Sequence, residues 1–191
     1  MKKSRPSRSA IRETRSRHKR KLVALVCYIS VFITAGIFGC SAKNNDPAYQ
    51  KAKALPAYQQ ASFERYIQDT QRWLAENRAF KSDDHQQEIA LNSPFELVPD
   101  SPNGQAILLV HGLGDSPYSF HDIAEHLVKQ GYLVRAILLP GHGSKAGDLL
   151  LPSYSDWENI VSHHTQLLLE DYPNVWLGGY STGANLVTAM H

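Results

Sequence analysis

The chain has 191 residues, 42% of them hydrophobic and 20% charged, enough for one globular domain with an appendage and too rich in apolar side chains for wholesale disorder. The net charge of +2 hides an asymmetry: ten of the 20 Lys and Arg lie in residues 1–21 beside the single acid Glu13, leaving 10 basic residues against 17 acidic ones from Leu22 onward, a balance of −7. An acidic body excludes nucleic acid as its partner, and the basic head needs its own explanation.

Leu22 to Gly39 (LVALVCYISVFITAGIFG) carries no charge over 18 residues. Behind a basic head at residues 1–21, such a run predicts a membrane-inserting segment with the head on the cytoplasmic side. It is longer than a cleaved secretory core of about 7–15 residues and close to the minimum for a spanning helix, about 17–25. Cys27 sits mid-segment as an apolar filler. Cys40 closes the run in Ile37-Phe38-Gly39-Cys40. That ending resembles a bacterial lipoprotein signal, in which the cysteine is lipidated and becomes the first mature residue. Lipidated Cys40 and an uncleaved anchor over 22–40 both stay open, and either places the rest of the chain on the extracytoplasmic, periplasmic side of a membrane.

Residues 41–61 are polar with two prolines and read as a linker. From Ser62, an expected N-cap, Phe63, Tyr66, Ile67, Thr70, Trp73 and Leu74 recur on one face of an amphipathic helix within 62–80. Lys81 to Gln87 reads as a polar break. Ile89 to Val98 reads as extended, with a short strand at Phe95–Val98, and Asn103-Gly104 signals a turn between two strand-like runs. Ala106 to Val110 is a continuous apolar run, the pattern of a strand buried on both faces of a parallel sheet.

His111-Gly112-Leu113-Gly114 leaves that strand. Ser116 and Pro117 are expected to open a helix with an inner stripe of Phe120, Ile123, Ala124, Leu127 and Val128, closed by Gly131. Leu133 to Leu139 is the next strand, stopped by Pro140-Gly141-His142-Gly143. A capping box at Ser155 and Glu158 predicts a second helix with Trp157, Ile160, Val161, His164, Leu167 and Leu168 on its apolar face. Val175 to Leu177 then runs into Gly179-Tyr180-Ser181-Thr182-Gly183 and a further helix. Strand, helix, strand, helix, strand, helix predicts an α/β domain on a parallel sheet.

The last motif fits Gly-x-Ser-x-Gly, a strand-to-helix turn that lifts a serine hydroxyl clear of the sheet. Gly179 and Gly183 flank the serine because strand and helix pack too closely for side chains, and Ser181 is expected in a strained backbone conformation. With the His-Gly and Gly-His-Gly loops, three motifs stand in order at three successive strand ends, where open α/β sheets bind ligands. Over residues 88–191 the chain resembles an α/β-hydrolase, a mostly parallel sheet flanked by helices, of the carboxylesterase and monoacylglycerol-lipase-like branch often grouped with serine aminopeptidases.

The resemblance implies Ser181 as nucleophile and the backbone N–H groups of Leu113 and Thr182 as oxyanion hole, within the motif positions His111, Gly112, Gly179 and Gly183. It implies hydrolysis of an ester or lipid substrate, with a peptidase or thioesterase using the same front half; the membrane as partner comes from the basic head and the uncharged run. His111 and His142 belong to loop motifs that brace backbone, while His121, His126, His163 and His164 fall on helices. No cysteine or histidine cluster has metal-ligand spacing, so neither a metal nor another cofactor is expected. His191 lies ten residues past Ser181, roughly 15 Å along a straight helix at 1.5 Å per residue, out of reach of the serine. In the family the triad Asp or Glu and the His follow the serine on later strands. The expectation is therefore a partial, C-terminally truncated hydrolase domain lacking both, with a catalytically inactive fragment or membrane-tethered binding module as the alternative.

Overall fold

The computed structural model describes residues 46–189. The basic head, the apolar segment with Cys40, residues 41–45 of the expected linker, and His191 lie outside the described residues. Among the described residues no helix is long and apolar enough to cross a membrane.

Four strands, β1 (Phe95–Leu97), β2 (Gln105–Val110), β3 (Leu133–Ile137) and β4 (Asn174–Gly179), form a mixed sheet in the order β1-β3-β2-β4. β2 runs parallel to both β3 and β4, with Leu108 opposite Arg135 on one side and Leu177 on the other. β1 is antiparallel to β3 and places Glu96 opposite Arg135. The helices are α1 (Phe63–Asn77), α2 (His85–Asn92), α3 (His121–Lys129), α4 (Tyr154–Asp171) and α5 (Thr182–Thr188).

The period of two in β2 divides the core. Ala106, Leu108 and Val110 face one cluster with Phe63, Tyr66, Ile160, Val161, Leu168 and Leu186. Ile107 and Leu109 face another with Phe120, Ala124, Val134 and Ala136. Both faces are covered, so the strand carries no polar alternation, and each large apolar side chain buried there contributes about 1.5–3 kcal/mol.

Helix α1 begins where expected, with the Ser62 hydroxyl accepting from the Arg65 N–H at 3.2 Å. Its buried face is pinned by Tyr66, whose hydroxyl donates to the Leu138 carbonyl at 2.8 Å and accepts from the Leu138 N–H at 3.0 Å. Those two bonds satisfy both backbone groups of Leu138, the first residue past β3. The Arg135 guanidinium lies 4.8 Å from the centre of the Phe63 ring and pairs with Glu96 at 2.6 Å.

Several expectations are corrected. Ile89–Asn92 is the second half of α2, not an extended segment, because Asp84 caps the Gln87 N–H and the helix formers His85–Leu91 follow. The Glu88 carboxylate organises the preceding break, accepting from the Lys81 and Ser82 N–H groups and from Arg78. Desolvation alone would raise its pKa, but these hydrogen bonds outweigh it and hold it down at about 2. The turn at Asn103 does not make a hairpin, since β3 lies between β1 and β2; Asn103 is fastened by its N–H to the Gly131 carbonyl and by its side chain to Gln130.

Pro117–Phe120 is a 3₁₀ turn, whose tighter winding shifts the phase of α3 and leaves Ile123 54% exposed, outside the expected stripe. Ser116 caps nothing and donates instead to the Leu91 carbonyl. The capping box of α4 is Ser153 with Asp156, two residues earlier than expected. Asp156 also accepts from the Tyr58 hydroxyl at 2.7 Å, which draws the start of the helix to it. That bond, with Ala52 N–H donating to Asp148 and the Gln60 carbonyl meeting His163, holds residues 46–61 against the body. The linker reading therefore does not extend to them.

His164 is fully buried against the rings of Phe63 and Tyr66, and neither ring nitrogen finds a hydrogen-bond partner. Burial, then the nearby His163 and Arg135 charges, pushes its pKa down to about 3. The unfolded chain, titrating near the ordinary value of 6.5, then binds the proton more readily than the folded one. Stability from this group is intact above about pH 6.5 and is lost as pH falls toward 3, at about 1.4 kcal/mol per pH unit. Denaturant melts of His164→Leu between pH 6.5 and 4 are expected to show a pH slope shallower by that amount.

Candidate functional site

The C-terminal ends of β2, β3 and β4 carry the His111, Gly141–His142 and Ser181 loops, so one sheet edge collects all three motifs. The tightest contact is between Gly183 and β2. A Cβ on Gly183 would lie 1.9 Å from the Val110 carbonyl oxygen, and one on Gly179 would lie 2.6 Å from the Gly183 carbonyl carbon. Only glycine at both places lets α5 start directly over the strand ends. The chain between them must reverse in three residues, and Ser181 takes φ 52°, ψ −123°. It is the one non-glycine residue with positive φ among those described. Such backbone costs on the order of 1–3 kcal/mol and persists only where the surroundings enforce it.

The His111 loop packs directly on this turn. A Cβ on Gly112 would meet the Tyr180 ring at 3.0 Å and the Ser181 Cβ at 3.2 Å. Leu113, next in the chain, is 60% exposed. Neither its N–H nor that of Thr182, the first residue of α5, has a hydrogen-bond partner among the described residues. Two unpartnered backbone donors thus flank the serine. The Ser181 hydroxyl also has no hydrogen-bond partner among the described residues.

His111 is buried with both nitrogens engaged. Nδ1 lies 2.8 Å from the Gly112 carbonyl and Nε2 accepts from the Leu139 N–H at 3.0 Å, which fixes the neutral tautomer with the proton on Nδ1. Burial, then the neighbouring His142, pushes its pKa down to about 4. Its place is therefore a strut between the ends of β2 and β3. His142 is also buried; Nδ1 lies 3.3 Å from the Pro140 carbonyl, Nε2 has no partner, and the pKa is lowered, chiefly by burial. Trp157 steadies the same loop by donating to the Pro140 carbonyl at 3.0 Å.

A cleft of about 480 Å³ opens beside the site, lined among others by Arg78, Asn92, Gly114, Asp115, His142 and Lys145. Ser181 is not in its lining. No group of three His, Cys, Asp or Glu side chains among the described residues could hold a metal ion.

Sequence reasoning passed over three side chains that shape this edge. Arg78 donates to the Gly143 carbonyl while paired to Glu88 at 2.8 Å, tying α1 and α2 to the Gly-His-Gly loop. Asp115 accepts from Ser119 at 2.7 Å and from the Tyr180 hydroxyl. Nothing in local spacing links residues 65 positions apart, and Tyr180 occupies a variable place in its motif.

Residues 101–191 match the family described as serine aminopeptidase, S33. The chain is 32% identical over 80 residues to the thermostable monoacylglycerol lipase of Bacillus sp. (strain H-257), a match covering 42% of this chain and 32% of that protein. A solved structure reported for LipS and LipT, two metagenome-derived lipolytic enzymes, is 29% identical, covering 49% of this chain and 37% of its own, with a TM-score of 0.45. Residues 101–191 are thus similar to the α/β-hydrolases of the serine aminopeptidase, S33, family. The matched stretch spans about a third of the length of these relatives.

Two substitutions test the turn. Gly183→Ala, driving a methyl group into the Val110 carbonyl, is expected to cost about 3 kcal/mol or more in urea unfolding. Ser181→Gly removes the positive-φ strain while loosening the unfolded chain, and is expected to raise stability by about 1 kcal/mol in the same assay.

Proposed function

We propose that the chain is the nucleophile-bearing part of a membrane-anchored serine hydrolase of carboxylic esters, with acylglycerol or other lipid esters as the substrate class. Ser181 is the nucleophile, and the N–H groups of Leu113 and Thr182 receive the oxyanion of the tetrahedral intermediate. The observation that carries this reading is the lone positive φ of Ser181 among the described non-glycine residues, held between two glycines that the packing requires and beside two unpartnered backbone donors. Such donors act on the charge that develops in the transition state, and losing one typically costs about 2.7–4 kcal/mol there. The similarity to a monoacylglycerol lipase, over 80 residues, supports an acyl ester as substrate.

A serine hydroxyl needs a base to become nucleophilic at neutral pH. Both nitrogens of His111 are engaged by backbone, so it does not serve. The histidine and carboxylate that complete the triad belong, on this reading, to parts of the fold that residues 46–189 do not cover. The second reading, an inert fragment or tethered binding module, is favoured by one observation: the Ser181 hydroxyl has no partner among the described residues.

A fluorophosphonate probe separates the two. Covalent labelling of the protein with its completing histidine and carboxylate present, lost in Ser181→Ala with the melting temperature preserved, is the expected result; a folded protein that does not label leaves the inert reading. For the anchor, the uncharged run 22–39 behind the basic head supports membrane attachment with the body on the extracytoplasmic side. Mass spectrometry of the mature N-terminus is expected to return either a lipid-modified Cys40 or an intact N-terminus, and a cleaved, unmodified chain would refute anchoring.

A further inference from the structure

We infer that the Tyr180–Asp115 hydrogen bond is a latch that sets the spacing of the two oxyanion donors; the inference rests on the hydrolase reading of Ser181. Tyr180 immediately precedes Ser181 and stands two residues before Thr182. Asp115 stands two residues after Leu113. Their bond therefore joins the two strand-end loops within two residues of each donor. The same two loops also meet through the Tyr180 ring and the Ser181 Cβ against Gly112 and through Gly183 against the His111 carbonyl, contacts of packing to which the latch adds a charged acceptor.

Each end of the latch is itself held. On the β2 side, the Gly112 carbonyl accepts from the Asp115 N–H at 3.3 Å, closing a four-residue turn with Leu113 and Gly114 at its centre. Gly114 has φ 73°, the left-handed value that a type II turn needs at its third residue. The Leu113 N–H thus sits in a turn whose closing residue is the latch carboxylate. Ser119 donates to the same carboxylate oxygen as Tyr180, so Asp115 is oriented before the phenol reaches it. On the β4 side, the Tyr180 carbonyl accepts from the Gly183 N–H at 3.0 Å and its ring packs edge-on to Phe120 at 5.9 Å.

This arrangement has a direct chemical use. Donors to an oxyanion work only when their separation matches an oxygen about 3 Å from both. The Thr182 donor is fixed by the strand-to-helix turn. The Leu113 donor rides on an exposed loop, and a displacement near 1 Å in a reacting arrangement can cost about a hundredfold in rate. Tying that loop to the residue beside the nucleophile makes both donors move as one body. Tyr180 and Asp115 touch no reacting atom on this account; they are positioning residues.

The test uses the protein with its completing histidine and carboxylate present, carrying Tyr180→Phe, which removes one oxygen, Asp115→Ala or Asp115→Asn. Hydrogen exchange of the peptide spanning 111–116 and the inactivation kinetics of Ser181 with a fluorophosphonate are read on each. The latch predicts faster exchange in Tyr180→Phe and Asp115→Ala, and a maximal inactivation rate about tenfold lower with the probe's half-saturation changed less than twofold. Asp115→Asn keeps an acceptor oxygen and recovers most of the loss. The double variant Tyr180→Phe/Asp115→Ala falls no further than either single one. Unchanged exchange and inactivation in Tyr180→Phe overturn the latch while leaving Ser181 as nucleophile. Faster exchange with unchanged inactivation shows a loop tether without a positioning role and overturns it too. If the wild-type chain does not label, or Ser181→Ala labels equally, the hydrolase reading itself falls and takes the latch with it.

Discussion

The approach of Gly183 to the Val110 carbonyl is the constraint on which the rest of this sheet edge depends. An ordinary side chain there would overlap the end of β2, so helix α5 starts where it does only because residue 183 has no Cβ. Once that helix is seated, Ser181 must absorb the reversal and adopts a backbone conformation that its own side chain disfavours. The strain is not a local choice of the serine. It is imposed by the central strand beneath it, whose full burial makes Val110 immovable.

A second set of contacts keeps the other two loops in place, and much of it comes from elements outside the stretch matched to the hydrolase family. Tyr66 of α1 satisfies both backbone groups of Leu138 just past β3. Arg78, held by Glu88 of α2, reaches the Gly143 carbonyl. His111 spans from β2 to the Leu139 N–H. These are buried or half-buried polar bonds to backbone, where leaving a group unpaired costs about 1–3 kcal/mol. Residues 62–97 are thus part of the scaffold that shapes the strand ends and not a separate appendage.

The strands, the order of elements from β2 onward and the elbow were legible in the sequence because each is written in local residues: an apolar run for β2 and paired glycines around Ser181, with a Ser62 cap marking α1 upstream. What escaped was decided by partners far along the chain. The antiparallel placement of β1 beside β3, with β2 further in, rests on Glu96 meeting Arg135, 39 residues away. The capping box of α4 had two nearly equal local solutions, and Tyr58, 98 residues upstream, sits on Asp156 of the one adopted. Helix α2 was hidden because its polar residues show no stripe, its order coming from Glu88 and the chain before it. At the site, Ser181, Gly179 and Gly183 could be named from spacing, whereas Tyr180 and Asp115 could not, since a motif specifies what the backbone needs and leaves the intervening side chain free.

The division between what is built and what is not follows the physics of acyl transfer. Backbone donors and backbone strain belong to a strand-to-helix turn and exist as soon as β2, β4 and α5 pack. Proton transfer needs a side chain aligned with the serine oxygen, and the two buried histidines of this edge sit in low-polarity surroundings that depress their basicity. On the proposed reading, residues 46–189 hold the electrostatic half of the machinery in finished form. In serine proteases stripped of a triad member, that half together with substrate binding still accelerates the reaction about 10³–10⁴-fold over water. An edge that stores strain and leaves two N–H groups unpaired gives up stability without structural return. That loss is intelligible where a developing negative charge is meant to occupy the space between them.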